Sequence, residues 1–347
     1  MALARRCAAT RIAARLSRSR HPLSAAAQGL RSVYFPGGVA CRAGSLVAGG
    51  WRNRVTVENT AGGTRSVILV LPRGYDAGAP LPLLLALHGG AAYATNFLDF
   101  SYLDSRGVAA GFAVAAPDGL PGTLRVGGVW RLQNAPGDGS GDVHPDVDDL
   151  AFISDVIRCV AALGVPLSGR LGVAGFSLGA KFASLVACQP PLGFSTVAAV
   201  VAAGLQEPRP ATCAAPLLMF QGGADPQVPF CVRAVELGPM AYWPTRVHFD
   251  AWLTANGADY SNQTTQCSLL GDSVLYEHPG RRARTALFWR PSGSHVWPGA
   301  LAGCARDGTD LALDFLADPA APLRCGGLAA CARDPPCGAA AAWVSMR

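Results

Sequence analysis

The sequence predicts an α/β fold in which a mostly parallel central sheet is flanked by helices. Segments typical of buried strands alternate with helical segments along most of the chain. One of these strands, at 170–174, runs into Gly-Phe-Ser-Leu-Gly at 175–179 and then directly into a helical segment. The 347 residues, half of them hydrophobic, suit one large domain or two small ones. No apolar stretch is long enough to span a bilayer.

Apolar runs and turn residues define the individual elements. The run at 83–87 is apolar throughout, as expected for a central strand covered on both faces. The loop at 117–145 is rich in Gly, Pro and Asp, and a loop of that length predicts a pocket wall. The predicted strands are 64–71, 81–87, 112–116, 170–174, 196–203, 216–220, 274–277 and 285–289. The predicted helices are 96–110, 147–162, 180–187, 242–256 and 310–316.

The Gly-Phe-Ser-Leu-Gly run has the form of a nucleophile elbow. Its two glycines permit a turn tight enough to raise the hydroxyl of Ser177 above the sheet. The first helical N–H, on Leu178, then points to where an oxyanion would form. The motif by itself is weak evidence for a catalytic serine, because a serine in an ordinary glycine-flanked turn has the same sequence. The strand before it and the helix after it favour a catalytic serine.

An elbow serine needs an acid and a base later in the chain. Asp225 follows the strand at 216–220 through a glycine turn, which is where the acid is expected, although Asp before Pro is also a common turn residue. His295 follows the late strand and precedes the last helix, which is the position of the base. His278, in a turn before Pro279, is the alternative base. The imidazole would take the proton of Ser177 while Asp225 fixes its tautomer.

The second oxyanion donor is expected from the glycines that follow the strand at 81–87. The chain there continues into His88, Gly89 and Gly90, and glycines let the backbone approach a substrate closely. We therefore predict an oxyanion hole built from Gly89, Gly90 and Leu178. His88 is expected to brace the turn rather than to transfer protons.

The charge distribution separates the first 57 residues from the rest of the chain. This segment contains ten arginines and no acidic residue, so 19 basic and 23 acidic residues remain in 58–347, a net charge of −4. The body has no basic excess of the kind that predicts nucleic-acid binding. The composition of 1–57 is typical of an organelle transit peptide, with a disordered Ala/Arg tail or a wrongly chosen start codon as alternatives.

Eleven cysteines are many for a reducing compartment. None forms a C-x-x-C pair, so a zinc site is not expected and no metal ligands are predicted. The Cys325, Cys331 and Cys337 ladder lies in a Pro/Gly/Ala-rich tail at 319–347 and suggests a disulfide-bearing or disordered appendage. The cysteine count favours an oxidising compartment, whereas the N-terminal composition favours an organelle.

Seven motifs occur together in the order of one family. The chain resembles the secreted esterases grouped as polyhydroxybutyrate depolymerases and feruloyl or acetylxylan esterases (carbohydrate esterase family 1, LpqC-like) over about residues 60–318. The motifs are Pro72-Arg73-Gly74-Tyr75, Leu87-His88-Gly89-Gly90, Trp130, Val147-Asp148-Asp149, the elbow at 175–179, Asp225-Pro226-Gln227-Val228-Pro229 and His295-Val296-Trp297-Pro298-Gly299.

The resemblance implies a single α/β-hydrolase domain at 58–318 that hydrolyses carboxylic esters without a cofactor. It also implies an extracellular enzyme and a disulfide between Cys188 and Cys213. Family members often bond a cysteine at the position of Cys267 to one on the next strand, where this chain has His278. The implied partner is a small-molecule or polysaccharide ester. Neither the residues nor the resemblance fixes an oligomeric state.

The expected class of substrate follows from the tryptophans near the predicted site. We expect Trp130, Trp297 and the helix around Trp243 to line the site and to favour a hydroxycinnamate or carbohydrate ester, unless these indoles belong to the core or rim. A polyhydroxybutyrate depolymerase is the alternative substrate assignment. A peptidase or thioesterase on the same fold, and an inactive binding module, are the other classes.

Overall fold

The computed structural model of the chain describes ten segments. They are residues 31–34, 40–59, 63–122, 127–132, 147–202, 213–231, 244–268, 272–299, 307–324 and 328–331.

Fifteen strands and six helices lie in these segments. The strands are β1 (Arg31–Tyr34), β2 (Ala40–Ala43), β3 (Asn53–Asn59), β4 (Gly63–Val70), β5 (Leu81–Leu87), β6 (Ala113–Pro117), β7 (Leu120–Pro121), β8 (Gly128–Val129), β9 (Leu167–Phe176), β10 (Phe194–Val200), β11 (Leu217–Gly222), β12 (Thr264–Ser268), β13 (Val274–His278), β14 (Thr285–Arg290) and β15 (Leu328–Ala330). The helices are α1 (Ala94–Ser101), α2 (Leu103–Ala109), α3 (Asp149–Ala162), α4 (Leu178–Ala187), α5 (Thr245–Asn256) and α6 (Gly308–Ala317).

Thirteen of the strands form one sheet, in the order β1-β2-β3-β4-β6-β5-β9-β10-β11-β14-β13-β12-β15. The six central strands, from β6 to β14, are parallel, while every pairing outside them is antiparallel. Parallel neighbours need long crossovers, and the helices supply them. The parallel strands therefore end at one edge of the sheet, where the elbow lies.

Both faces of the sheet are covered. On β5, Leu83, Leu85 and Leu87 join the core that includes α3, α4 and α5. The alternate residues Leu84 and Ala86 join the second core, with α1, α2 and α6. This two-sided burial is why the run at 83–87 is apolar throughout. The predicted α/β fold with a mostly parallel sheet is confirmed.

The predicted boundary at residue 57 is corrected by the structure. Residue 57 lies inside β3, and β2 pairs with β3 in the main sheet. Cys41 is fully buried and forms a disulfide with Cys159 of α3. Charge counts alone place the domain boundary too late in the chain. The strands that bury Cys41 and Val57 also carry exposed arginines, so the arginine-rich composition extends into the folded domain. Residues 1–30, the rest of the predicted targeting segment, lie outside the described residues.

The C-terminal segment is likewise joined to the domain. β15 pairs with β12 at the sheet edge, and Cys331 forms a disulfide with Cys267. The tail is therefore disulfide-bearing, the first of the two predicted alternatives, and up to residue 331 it is joined to the domain rather than separate from it. Cys267 thus has a partner other than a residue at the position of His278. The predicted bond between Cys188 and Cys213 is present, with a Cα–Cα distance of 4.8 Å.

The predicted helix at 96–110 is two helices. Tyr102 adopts a left-handed conformation with φ of 54° and separates α1 from α2. No glycine or proline marks this corner, so the break leaves no signal in the residue pattern. Among the described helices, none is long and apolar enough to cross a membrane.

Candidate active site

The elbow places Ser177 at a strained turn between β9 and α4. Its φ and ψ angles are 52° and −117°, which bulky or ordinary residues rarely adopt. The flanking glycines are required by close backbone contacts. A Cβ on Gly175 would overlap the oxygen of Gly179, and one on Gly179 would overlap the oxygen of Leu87. The turn therefore holds the serine hydroxyl above the carboxyl edge of the sheet.

Ser177, His295 and Asp225 form a continuous hydrogen-bonded chain. His295 Nε2 lies 3.0 Å from Ser177 Oγ, and His295 Nδ1 lies 2.8 Å from Asp225 Oδ2. A carboxylate only accepts, so Nδ1–H donates to Asp225 and Nε2 is the acceptor for the serine hydroxyl. The imidazole is thus held in the tautomer that a general base for serine requires.

Asp225 is fixed by backbone donors as well as by the imidazole. It lies just after β11 and is almost fully buried. Its second oxygen, Oδ1, accepts hydrogen bonds from the N–H groups of Gln227 and Val228, both at 2.8 Å. The same carboxylate therefore closes the Asp-Pro turn and orients the imidazole of His295.

The competing histidines lie elsewhere. His278 is buried on β13, where Nδ1–H donates to the oxygen of Asp259 at 3.0 Å. His248 is inside α5, as the sequence predicted, and its Nε2 lies 3.2 Å from Ser184 Oγ. His144 and His21 lie outside the described residues. The structure thus places His295, and not His278, within hydrogen-bond distance of Ser177.

His88 braces the glycine turn, as expected. Its Nδ1–H donates to the oxygen of Gly89 at 2.7 Å, and its Nε2 accepts from the N–H of Gly119 at 2.9 Å. Burial lowers the pKa of His88 to about 4, so the ring is neutral at physiological pH. The Gly89–Gly90 peptide is trans, so its N–H, on Gly90, points away from its oxygen, on Gly89. The hydrogen bond from His88 to that oxygen therefore also sets the direction of the Gly90 N–H.

Gly89, Gly90 and Leu178 lie together beside the elbow. A Cβ on Gly90 would be 3.5 Å from the Leu178 side chain, and one on Gly89 would be 3.1 Å from the ring of Phe176. Leu178 is the first residue of α4, and the first N–H groups of a helix have no intrahelical acceptor. The three predicted oxyanion residues are therefore neighbours of Ser177.

The tryptophans predicted to line the site lie in the core instead. Trp130 is fully buried, stacked on Phe182 at 5.0 Å, and its Nε1–H donates to the oxygen of His88. Trp297 is 8% exposed and donates to Thr309 Oγ1 at 2.9 Å. The expectation that Trp130 and Trp297 contact the substrate is therefore corrected. Each indole is buried and hydrogen-bonded inside the protein, where it contributes to packing. Trp243 lies outside the described residues.

Different aromatic residues lie beside Ser177, His295 and Asp225. The Phe176 ring is 5.2 Å from that of His295 and 5.7 Å from that of Phe100 on α1. Neither phenylalanine is among the residues predicted from the sequence. Phe176 occupies a variable position of the elbow motif, but its place next to Ser177 in the chain is a signal that it lies at the site.

The fold and the elbow define this chain as an α/β-hydrolase. A solved structure described as "The complex of pOPH_S172C with DMSO" superimposes with a TM-score of 0.52 and 12% identity, covering 77% of this chain and 89% of that one. The LpqC poly(3-hydroxybutyrate) depolymerase of Bordetella parapertussis gives a TM-score of 0.48 with 17% identity, covering 80% and 92% of the two chains.

The chain belongs to the Esterase family. The sequence model of that family, described as "Putative esterase", matches residues 58–254. Feruloyl esterase B of Piromyces equi is 25% identical over 244 residues, which are 67% of this chain and 42% of that protein. The chain thus spans less than half the length of this relative. Membership of this family agrees with the resemblance seen in the sequence.

Proposed function

We propose that this chain hydrolyses carboxylic esters, with Ser177 as the nucleophile, His295 as the general base and Asp225 as the orienting acid. The hydrogen-bonded chain from Ser177 Oγ through the imidazole to Asp225 Oδ2 is the observation that carries the proposal. The strained backbone of the serine and the buried carboxylate support it, because preorganised geometry of this kind is concentrated at catalytic sites.

In this mechanism Ser177 Oγ attacks the acyl carbon while its proton moves to His295 Nε2. The carbonyl oxygen becomes anionic and accepts hydrogen bonds from the N–H of Leu178 and from the Gly89–Gly90 turn. The imidazolium then donates its proton to the departing alcohol oxygen, which leaves an acyl-enzyme. Water then attacks the acyl carbon while its proton moves to His295 Nε2, and the imidazolium returns that proton to Ser177 Oγ as the Oγ–acyl bond breaks and the acid leaves. No step requires a cofactor.

We propose feruloyl or acetyl esters of a plant-type polysaccharide as the substrates. The name of the Piromyces equi relative, Feruloyl esterase B, supports this assignment. The aromatic rings of Phe176 and Phe100 beside His295 also support a polysaccharide ester, because they suit the apolar faces of sugar rings. Three disulfides between described residues support action in an oxidising, extracellular setting.

The first test is the serine. Ser177→Ala should retain the thermal unfolding profile of the parent and lose labelling by a fluorophosphonate probe, with less than about a thousandth of the activity on p-nitrophenyl acetate remaining. Ser184→Ala, which changes a buried serine of the same helix, is the matched control and should keep both. Surviving activity or labelling in Ser177→Ala would remove Ser177 as the nucleophile.

The second test is the substrate. The specificity constant kcat/KM is compared for methyl ferulate, an acetylated xylooligomer, a 3-hydroxybutyrate oligomer and a long-chain p-nitrophenyl ester. The proposal expects one of the first two to be highest. A preference for the hydroxybutyrate oligomer would establish depolymerase activity instead, and a preference for the long-chain ester would contradict both assignments.

A further inference from the structure

Exposed aromatic side chains are concentrated on α1 and its caps, the helix whose Phe100 contacts Phe176. Among the described residues, only six large hydrophobic side chains are exposed, and three of them belong to α1 and its two caps: Tyr93, Phe100 and Tyr102. A fourth, Val296, follows His295 directly. Such a concentration on one helix indicates a binding surface rather than scattered surface residues.

Two aromatic rings lead outward from the imidazole, and a third follows two residues further along the chain. Phe176 lies 5.2 Å from the His295 ring, and Phe100 lies 5.7 Å from Phe176 in an edge-on arrangement. Phe100 is 42% exposed, whereas its neighbour Phe97, at 5.4 Å, is fully buried and anchors it to the core. Tyr102, 53% exposed, stands at the corner that ends α1. We name Phe176, Phe100 and Tyr102 the aromatic strip.

The corner that presents Tyr102 is held rigidly. Its left-handed backbone is strained for a tyrosine, and its N–H is bonded to the oxygen of Leu98. The Arg106 guanidinium lies 5.6 Å from the Tyr102 ring and also pairs with Asp307 at 3.0 Å. The cation–π contact and the ion pair of Arg106 therefore tie the exposed ring of Tyr102 to the segment that begins α6.

Charged groups accompany the rings along α1. Asp99 precedes Phe100, has an exposed carboxylate and binds the guanidinium of Arg52 at 2.6 Å. A pyranose ring has an apolar C–H face that packs on an aromatic ring, and hydroxyl groups at its edge that bind charged and polar partners. An acyl chain would use the rings but not these charges. The combination of rings and charges therefore fits a carbohydrate.

The position of the aromatic strip indicates which part of the ester, the acyl group or the alcohol, it contacts. His295 Nε2 donates the proton to the departing alcohol, so the alcohol part lies next to the imidazole. We propose that the aromatic strip binds sugar rings of a polysaccharide alcohol, beginning beside His295 and continuing along α1. This inference rests on the proposed function of Ser177, His295 and Asp225.

The first arm of the test measures binding without turnover. In the Ser177→Ala background, the dissociation constant of an acetylated xylooligomer is measured by calorimetry for Phe100→Ala and Tyr102→Ala. Each should weaken binding about tenfold, whereas Phe100→Tyr, which keeps the ring, and Val47→Ala, which shortens an exposed side chain between β2 and β3, should stay within about twofold. Unchanged binding in both alanine variants would overturn the proposal.

The second arm separates sugar contact from indirect effects. With Ser177 intact, Phe100→Ala should lower kcat/KM about tenfold for the oligomer ester, mainly through KM, and less than twofold for a methyl ester of the same acid. An equal loss on both esters would overturn sugar binding and make Phe100 a positioning residue for His295. If Ser177→Ala itself still hydrolyses esters, the proposed function fails, whatever the binding data show.

Discussion

The indole Nε1–H of Trp130 donates a hydrogen bond to the main-chain oxygen of His88 at 2.8 Å. The His88 ring lies 4.7 Å from the indole and fixes the oxygen of Gly89 from the other side. A tryptophan from one loop therefore sets the path of the glycine turn in another. Its effect on catalysis would pass through the backbone rather than through substrate contact.

Trp130→Phe should lower kcat by about tenfold with little change in KM. The variant keeps the apolar ring but leaves the buried His88 oxygen without its donor, which costs on the order of 1–3 kcal/mol of stability and loosens the oxyanion turn. Trp252→Phe, a buried change in α5, is the control and should affect stability without affecting kcat. A rise in KM at constant kcat would instead indicate substrate contact.

Asp225→Asn should reduce kcat by about four orders of magnitude at neutral pH while preserving the fold. The amide has the shape of the carboxylate, but it can donate to Nδ1 and so favours the tautomer with Nε2 protonated, which cannot accept the serine proton. Stopped-flow ester hydrolysis measures the loss. Asp76→Asn, in an exposed turn, should have no effect; a loss below tenfold in Asp225→Asn would contradict the assigned role.

A chain shortened to 58–347 should be far less stable than one shortened to 31–347. The shorter chain lacks β2 and most of β3, including the buried Cys41 and Val57. Loss of the Cys41–Cys159 bond, with a separation of 118 residues, alone corresponds to roughly 4–5 kcal/mol. Denaturant unfolding of both chains measures the difference, and equal midpoints would restore the boundary at residue 57.

Stability should fall as the pH decreases below about 6.5. Burial lowers the pKa of His278, and its Nε2 has no hydrogen-bond partner among the described residues. Because the unfolded chain binds a proton near pH 6.5 and the folded ring resists it, folding stability declines from there as pH falls. The buried His88 and His248, each with a pKa lowered to about 4, act in the same direction.

His278→Asn provides the matched variant for this pH dependence. The amide can donate to the Asp259 oxygen as Nδ1 does, but it does not titrate. Urea unfolding at pH 7.5 and pH 5.0 should show a smaller loss of stability in the variant than in the parent. Equal losses would mean that His278 does not contribute to acid sensitivity.

Chain order alone is sufficient to predict that Ser177, Asp225 and His295 form one constellation. Each follows a parallel strand, and the carboxyl ends of such strands meet at one edge, so the sequence pattern carries three-dimensional information. The same argument identifies Gly89 and Gly90. Their catalytic roles remain predictions.

The direction in which an individual aromatic side chain faces could not be predicted. Trp130 and Trp297 follow no periodic pattern, so their burial depends on partners such as His88 and Thr309 that only the fold brings near. The pairing of Cys267 with Cys331 could not be predicted for the same reason. The two cysteines are 64 residues apart in the sequence, and only the pairing of β15 with β12 brings them together.

The Cys41–Cys159 bond has a consequence for proteolysis. Any single backbone cleavage between these two residues, including one in the glycine-rich loop before α3, leaves two fragments that are still covalently linked. A nicked chain would therefore migrate as one species on a non-reducing gel and as two after reduction. Where secreted proteases are abundant, this link would let a cut enzyme keep β2 on its sheet and the two halves of its core together.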